Sequence, residues 1–193
     1  MHPHALGWGL IGLGRIAGSE IAPAIAASET SALVSVVSRD QGRAEEFARR
    51  HGAAAALDDY QKMLADPAVA AVYIATPNAL HAEQVIAAAR AGKHVLCDKP
   101  LALTVADARR CVAECRAAGV RLGVTFQTRY HDGVADAVQL VRDGGIGRVT
   151  VAEVTMSAGR SLPRGWRTEP GLAGLGTLNN IGVHAFDLLR YLL

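Results

Sequence analysis

The chain has 193 residues, half of them apolar, with few aromatics and a formal net charge of +2. That length suffices for one complete α/β domain and part of another. The near-balanced charge argues against nucleic-acid or membrane partners, and no run is long and apolar enough to span a bilayer. Met1-His2-Pro3-His4 lacks the basic-then-apolar design of a signal peptide. The three cysteines, Cys97, Cys111 and Cys115, form no C-x-x-C pair, and the spacing of the last two suits buried helical thiols better than a disulfide. A cytoplasmic protein without a metal site is expected.

Leu6 to Ile11 reads as a first strand, followed by the turn Gly12-Leu13-Gly14 and a helix from about Arg15 to Ala27. Ala32 to Val37 is a second strand, and Gln41 to His51 a helix with a charged outer face. A short strand near Ala53 to Ala56 precedes a helix capped by Asp58 or Asp59. Val69 to Ala75 is a fourth strand, broken by Thr76-Pro77-Asn78, where Asn78 can cap a helix from Ala79 to Ala91. Gly92 stops that helix, and Lys93 to Cys97 is a fifth strand that ends in Asp98-Lys99-Pro100. Thr104 and Asp107 resemble a capping box for a helix reaching Ala118, and Val120 to Phe126 is a sixth strand. Strands alternating with helices in this way predict a doubly wound, parallel Rossmann sheet over residues 1–126.

The pattern then changes. Asp132 to Val141 reads as a helix, Asp143 to Gly147 as a turn, and Val149 to Ser157 as a long strand with no helix after it. A loop rich in Gly, Pro and Arg runs from Ala158 to Gly176, and a last helix from Asn179 to Leu193 has no stop signal. The 149–157 strand needs partners that the sequence does not visibly supply. Residues 127–193 are therefore expected to be the N-terminal part of a second, α+β domain, most of whose sheet is absent. The alternative is a naturally small protein with a frayed last helix.

The turn Gly12-x-Gly14-Arg15-Ile16-Ala17 fits G-x-G-x-x-G/A between a strand and a helix. There the first glycine makes the turn, the second lets backbone approach a pyrophosphate, and the helix N-terminus supplies a favourable field. Gly12, Gly14, Arg15 and Ile16 are thus candidate cofactor contacts. At the end of the second strand an acid would favour NAD, whereas Ser38 and Arg39 suit a 2′-phosphate, so NADP is preferred over NAD. Asp40 follows as a cap for the next helix. Thr76, Asn78 and His81 lie on the same edge and are candidates for the nicotinamide-ribose side; capping for Asn78 and plain solvent exposure for His81 are the competing readings. Lys99, at the carboxyl end of a buried strand, is placed to act on a ligand there.

Together these motifs resemble the Gfo/Idh/MocA family of NAD(P)-dependent oxidoreductases, nearest to its sugar-reducing branch. The carriers are Gly12-x-Gly14-x-x-Ala17, Thr76-Pro77-Asn78-x-x-His81, Gly92-Lys93-His94-Val95-Leu96-Cys97-Asp98-Lys99-Pro100, Gly147-Arg148, Trp166-Arg167 and Gly182-x-His184-x-x-Asp187. The resemblance implies a Rossmann domain followed by a domain with a large, mostly antiparallel sheet, a chain longer than this one, and homo-oligomers that pair through that sheet. It implies that Lys99 contacts substrate and nicotinamide and that His184 is the acid/base. It also implies that Asp98, Thr125, Trp166 and Arg167 contact the cofactor. Two departures stand out: Asp98 replaces a glutamate, and Asn180 replaces an acid. Asn180, His184 and Asp187 are spaced to share one helix face. Asn180 can bond a sugar hydroxyl but cannot ionise. The expected activity is hydride transfer between the nicotinamide and a carbonyl or hydroxyl of a sugar-like or polyol-like small molecule. The rivals are a cofactor-binding regulator without turnover, an NAD-dependent glycosidase of the same family, and a defective fragment.

Overall fold

The computed structural model describes residues 5–156 and 164–193. One compact unit runs to Val124 and a second spans Thr125–Leu193. The first is built on six strands: β1 (Leu6–Ile11), β2 (Ser31–Val37), β3 (Ala55–Leu57), β4 (Ala71–Ile74), β5 (His94–Asp98) and β6 (Leu122–Thr125). Their order is β3-β2-β1-β4-β5-β6, and the pairs β1–β2, β1–β4, β2–β3 and β4–β5 are parallel. The order reverses between β1 and β4, the switch point where a doubly wound sheet opens a crevice at its carboxyl edge.

The central strands are largely apolar because both faces of the sheet are covered. Successive residues feed opposite layers. Ile11, Val37, Val72, Ile74, Val95 and Cys97 pack into one core, whereas Leu10, Val36 and Tyr73 pack into the other. The first core is completed by α3 (Tyr60–Leu64), α4 (His81–Arg90) and α5 (Val105–Ala117), through Met63, Val85 and Cys111. The second is completed by α1 (Ala22–Ala27) and α2 (Gln41–His51), through Ile25 and Ala44.

Local chemistry sets the helix ends. Asp40 accepts the Arg43 N–H at 3.0 Å and caps α2, as its position suggests. Asp59, rather than Asp58, caps α3, and Thr104 accepts the Asp107 N–H at the start of α5. Lys93 is buried just before β5, where its ammonium donates to the carbonyls of Asp66 and Val69, each at 2.7 Å. That ammonium holds the turn leading into β4.

Three expectations need correction. The first helix is not uniform: a π-helical stretch, Ala17–Ile21, precedes α1 and widens the turn beside the glycine loop. Asn78 does not cap α4; it is buried within a 3-10 turn (Asn78–Leu80), and α4 starts at His81 with Leu80 in the capping position and no side-chain cap. The expected strand over 149–157 is absent across its described residues 149–156, which are irregular. A strand exists only by pairing, and none of the described residues pairs with this segment. Ser157 and the first part of the expected loop, residues 158–163, lie outside the described residues.

The second unit carries a 3-10 turn (Gln127–Tyr130), α6 (Val134–Arg142), a second 3-10 turn (Gly165–Thr168), α7 (Pro170–Ala173) and α8 (Val183–Leu192). A second π-helical stretch, Leu178–Gly182, leads into α8. No antiparallel sheet occurs among the described residues of this unit. Across the described residues of both units, no helix is long and apolar enough to cross a membrane.

All three cysteines are buried thiols outside any disulfide. Burial pushes the Cys97 and Cys115 thiols up, and raises Cys111 to about 11. Because the thiolate is the nucleophile, an aromatic disulfide reagent is expected to label none of them rapidly in the folded chain and all three after denaturation. A fast-reacting thiol under native conditions would contradict this packing.

Candidate functional site

The carboxyl edge of the sheet gathers the candidate residues of the first unit. Gly12, directly after β1, has φ +92°, and a Cβ there would lie 2.8 Å from the Ala75 backbone that follows β4. Only glycine allows the ends of these adjacent strands to approach so closely. Gly14 has the opposite environment: a Cβ would meet nothing within 4 Å. That open side, at the start of a helix, is what a phosphate approaching backbone N–H groups requires. An open cleft of about 410 Å³ beside the turn is lined by Leu13, Gly14, Arg15, Arg43 and Arg50, among others. Arg43 donates to the Leu13 carbonyl, which brings a guanidinium onto the glycine turn. The helical pattern alone places Arg43 on an exposed face and gives no hint of that contact. Ile16 begins the first helix beside Arg15, partly buried.

At the end of β2, Ser38 is half-buried and accepts the Asp40 N–H at 3.2 Å, while the Arg39 side chain is exposed. The edge therefore offers a hydroxyl and a free-standing cation, with Asp40 engaged in capping.

Beyond β4, Thr76 donates its hydroxyl to Gln84 Oε1 at 2.6 Å. His81 is 1 % exposed, so the solvent-facing reading is overturned. Its Nδ1 lies 2.7 Å from the Pro100 carbonyl oxygen and its Nε2 2.9 Å from that of Thr76. The ring thus bridges the turns after β4 and β5. Asp98 is the last residue of β5 and accepts the Lys99 backbone N–H at 2.8 Å; Lys99 follows, half-buried, and its bond to Pro100 is cis.

The second unit has its own cluster. His184, on α8, is buried with Nδ1 3.4 Å from Thr128 Oγ1, and Phe126 meets the ring edge-on at 6.2 Å. Asp187, one turn further on, is buried and accepts both arms of Arg129, with Nε to Oδ2 at 2.7 Å. The Arg129 guanidinium also lies 4.7 Å from the Tyr191 ring centroid. This fork fastens the 126–130 segment to α8 and so sets Thr128 against His184. Asn180 does not share the buried face of His184 and Asp187: it is exposed, within the π-helical stretch, where the α-helical spacing rule fails. Trp166 and Arg167 occupy the second 3-10 turn and stack on each other at 4.4 Å. Thr125 closes β6. Phe126, Thr128 and Arg129 are additions that sequence spacing did not single out.

A parallel sheet of this order, with a glycine turn after β1 and an open approach at Gly14, defines a dinucleotide-binding Rossmann fold. Residues 6–126 match the Gfo/Idh/MocA oxidoreductase family with NAD-binding Rossmann fold, and residues 134–193 match the Gfo/Idh/MocA C-terminal domain. The chain belongs to the Gfo/Idh/MocA oxidoreductase family. It is 41 % identical over 192 residues to a 1,5-anhydro-D-fructose reductase of Ensifer adhaerens, covering 96 % of this chain and 56 % of that protein. It is 39 % identical over 153 residues to a levoglucosan dehydrogenase of Pseudarthrobacter phenanthrenivorans, covering 77 % of this chain and 39 % of that one. Among solved structures, a levoglucosan dehydrogenase in complex with NADH and levoglucosan superimposes with TM-score 0.85 at 32 % identity, over 98 % of this chain and 54 % of that chain. An aldose-aldose oxidoreductase from Caulobacter crescentus complexed with glycerol gives 0.84 at 34 % identity, over 97 % and 57 %. The chain spans about half the length of such relatives.

Asp187→Asn removes the charge that holds Arg129. A half-exposed fork of this kind is expected to cost about 1–2 kcal/mol, read as a lower denaturation midpoint. An unchanged midpoint would show that the fork contributes nothing to the second unit.

Proposed function

We propose that this chain carries the cofactor-binding part and the beginning of the substrate part of an NAD(P)-dependent oxidoreductase acting on a sugar or polyol-like molecule. Residues 1–126 serve as the cofactor domain, and residues 127–193 as the start of the substrate and oligomerisation domain. The observation that carries this reading is one sheet edge bearing both an open glycine turn, at Gly14, and a lysine directly after strand β5, at Lys99. Relatives named for sugar chemistry, and solved relatives in complex with NADH or with NADP, support the class of substrate and cofactor. A reducing, cytoplasmic setting is supported by three buried thiols that form no disulfide.

The residues fit a dinucleotide. Gly12 and Gly14 with the backbone of Arg15 and Ile16 hold the pyrophosphate at the helix start. Ser38 and Arg39 recognise the adenosine ribose and, being a hydroxyl and a cation, favour the 2′-phosphate of NADP over the bare hydroxyl of NAD. Thr76, Asn78, Asp98 and Thr125 line the nicotinamide end, with Trp166 and Arg167 as further contacts. When bound, the nicotinamide would supply or accept the hydride. Lys99 holds its ammonium against the substrate oxygen, stabilising negative charge as it develops. His184 serves as the acid/base that delivers or removes a proton, and Asn180 bonds a sugar hydroxyl. A second reading, a cofactor-binding protein with little turnover, is favoured by one observation: Asn180 stands where the family resemblance calls for an acid.

Titration with NADPH and NADH, followed by nicotinamide absorbance in the presence of a sugar panel, tests both readings. Binding with sugar-dependent oxidation supports the enzyme, binding alone selects the second reading, and no binding refutes both. Two sets of variants sharpen the result. Gly14→Ala is expected to keep the melting temperature and to lose about tenfold or more in cofactor affinity. Gly12→Ala is expected to destabilise the fold itself, because a Cβ at φ +92° collides with Ala75. Lys99→Ala is expected to cut turnover far more than cofactor affinity, and equal losses would remove Lys99 from the chemistry.

A further inference from the structure

His184 is 8 % exposed, and two residues of one short segment meet its ring. The Thr128 hydroxyl lies 3.4 Å from Nδ1, and the Phe126 ring stands perpendicular to the imidazole with the centroids 6.2 Å apart. A hydroxyl both donates and accepts, so the Thr128 contact is attractive whichever ring nitrogen carries the proton. The segment is itself held. In and beside the 3-10 turn Gln127–Tyr130, the Arg129 N–H donates to the Phe126 carbonyl at 3.1 Å and the His131 N–H to the Thr128 carbonyl at 3.2 Å. Arg129 grips Asp187 with both arms, one turn beyond His184 on α8, and its guanidinium also lies 4.7 Å from the Tyr191 ring centroid. All of these groups belong to the second unit.

We propose that Thr128 is a positioning residue for His184: its hydroxyl, held in place by the Arg129–Asp187 fork, sets which way round the imidazole sits. The outer torsion of a histidine is broad and roughly two-fold, and a half turn puts the Cδ2–H where Nδ1 was. Packing alone discriminates poorly between the two orientations, because they have nearly the same shape. A hydroxyl does discriminate, since it bonds a ring nitrogen and not the carbon that would replace it. Phe126 restricts the tilt of the ring, and Thr128 selects the edge that faces the segment. With Nδ1 so held, the place of Nε2 is fixed as well. Thr128 touches neither substrate nor cofactor in this proposal; it acts through His184. An acid/base must come within hydrogen-bond reach of the group it protonates. A ring that turns over freely therefore loses turnover rather than binding. Proton transfer by His184 rests on the function proposed above; the orientation of its ring does not.

The test compares, in the full chain, Thr128→Val, which keeps the shape and loses the hydroxyl, with Thr128→Ser, which keeps the hydroxyl. If Thr128→Val does not fold, Thr128→Ala takes its place. The probes are NADPH and whichever sugar of the panel above the unaltered chain turns over fastest. Thr128→Val is expected to lose about tenfold in kcat, while KM for the sugar and affinity for NADPH stay within about twofold. Thr128→Ser is expected to recover most of the loss. Equal turnover in the two variants, or a loss that falls on KM, overturns the role in turnover. The orientation is read separately, from nuclear Overhauser contacts between the ring protons of His184 and those of Phe126. The unaltered chain and Thr128→Ser are expected to share one pattern of contacts, and Thr128→Val to show a second orientation beside it. The same single pattern in Thr128→Val overturns the positioning role. If the unaltered chain turns over no sugar, the enzyme reading fails, and the ring contacts alone decide whether Thr128 orients His184.

Discussion

At Gly12 the chain has room for a hydrogen and nothing larger. The strand ends after β1 and β4 are adjacent because the sheet reverses its order there, and the backbone of Ala75 occupies the volume a side chain would need. That single close approach lets one turn lead into the first helix while its neighbour turns away toward α4. The two connections diverge onto opposite faces and open the crevice between them. The open side of Gly14 follows from where those two strands end, while Arg39 and Lys99 stand at the ends of the flanking strands β2 and β5.

Much of this unit was legible in its residues. Strands buried on both faces read as uninterrupted apolar runs, so β1, β2, β4 and β5 stand out even without partners in view. Asp40 and Thr104 announce helix starts because a capping bond reaches only three residues. What was not legible depends on long-range encounters. His81 reads as an ordinary first-turn residue because the Pro100 carbonyl, 19 positions away, leaves no local trace. The same holds for Arg129, whose partner Asp187 is 58 positions away.

Regular spacing rules also fail where the helix is not regular. The α-helical period puts Asn180 on the face of His184 and Asp187, but the π-helical stretch around it changes the angle per residue. Its exposure, against the burial of the other two, is the result. The segment 149–156 fails for another reason. Its β-rich composition is a preference for a half-buried pleated surface. A preference becomes a strand only when a partner backbone is present to satisfy its N–H and C=O groups.

The strand order has a consequence for how such a protein can diversify. Ser38 and Arg39 stand at the end of β2, on one side of the switch point, whereas Thr76, His81 and Lys99 belong to the ends of β4 and β5 on the other. No hydrogen bond described above links the two groups. If the two edges hold the roles proposed above, substitutions that change which nicotinamide cofactor is preferred can accumulate without disturbing the lysine turn, and the reverse also holds. On the proposed function, a lineage built on this sheet can exchange its source of reducing power and its chemistry as separate traits.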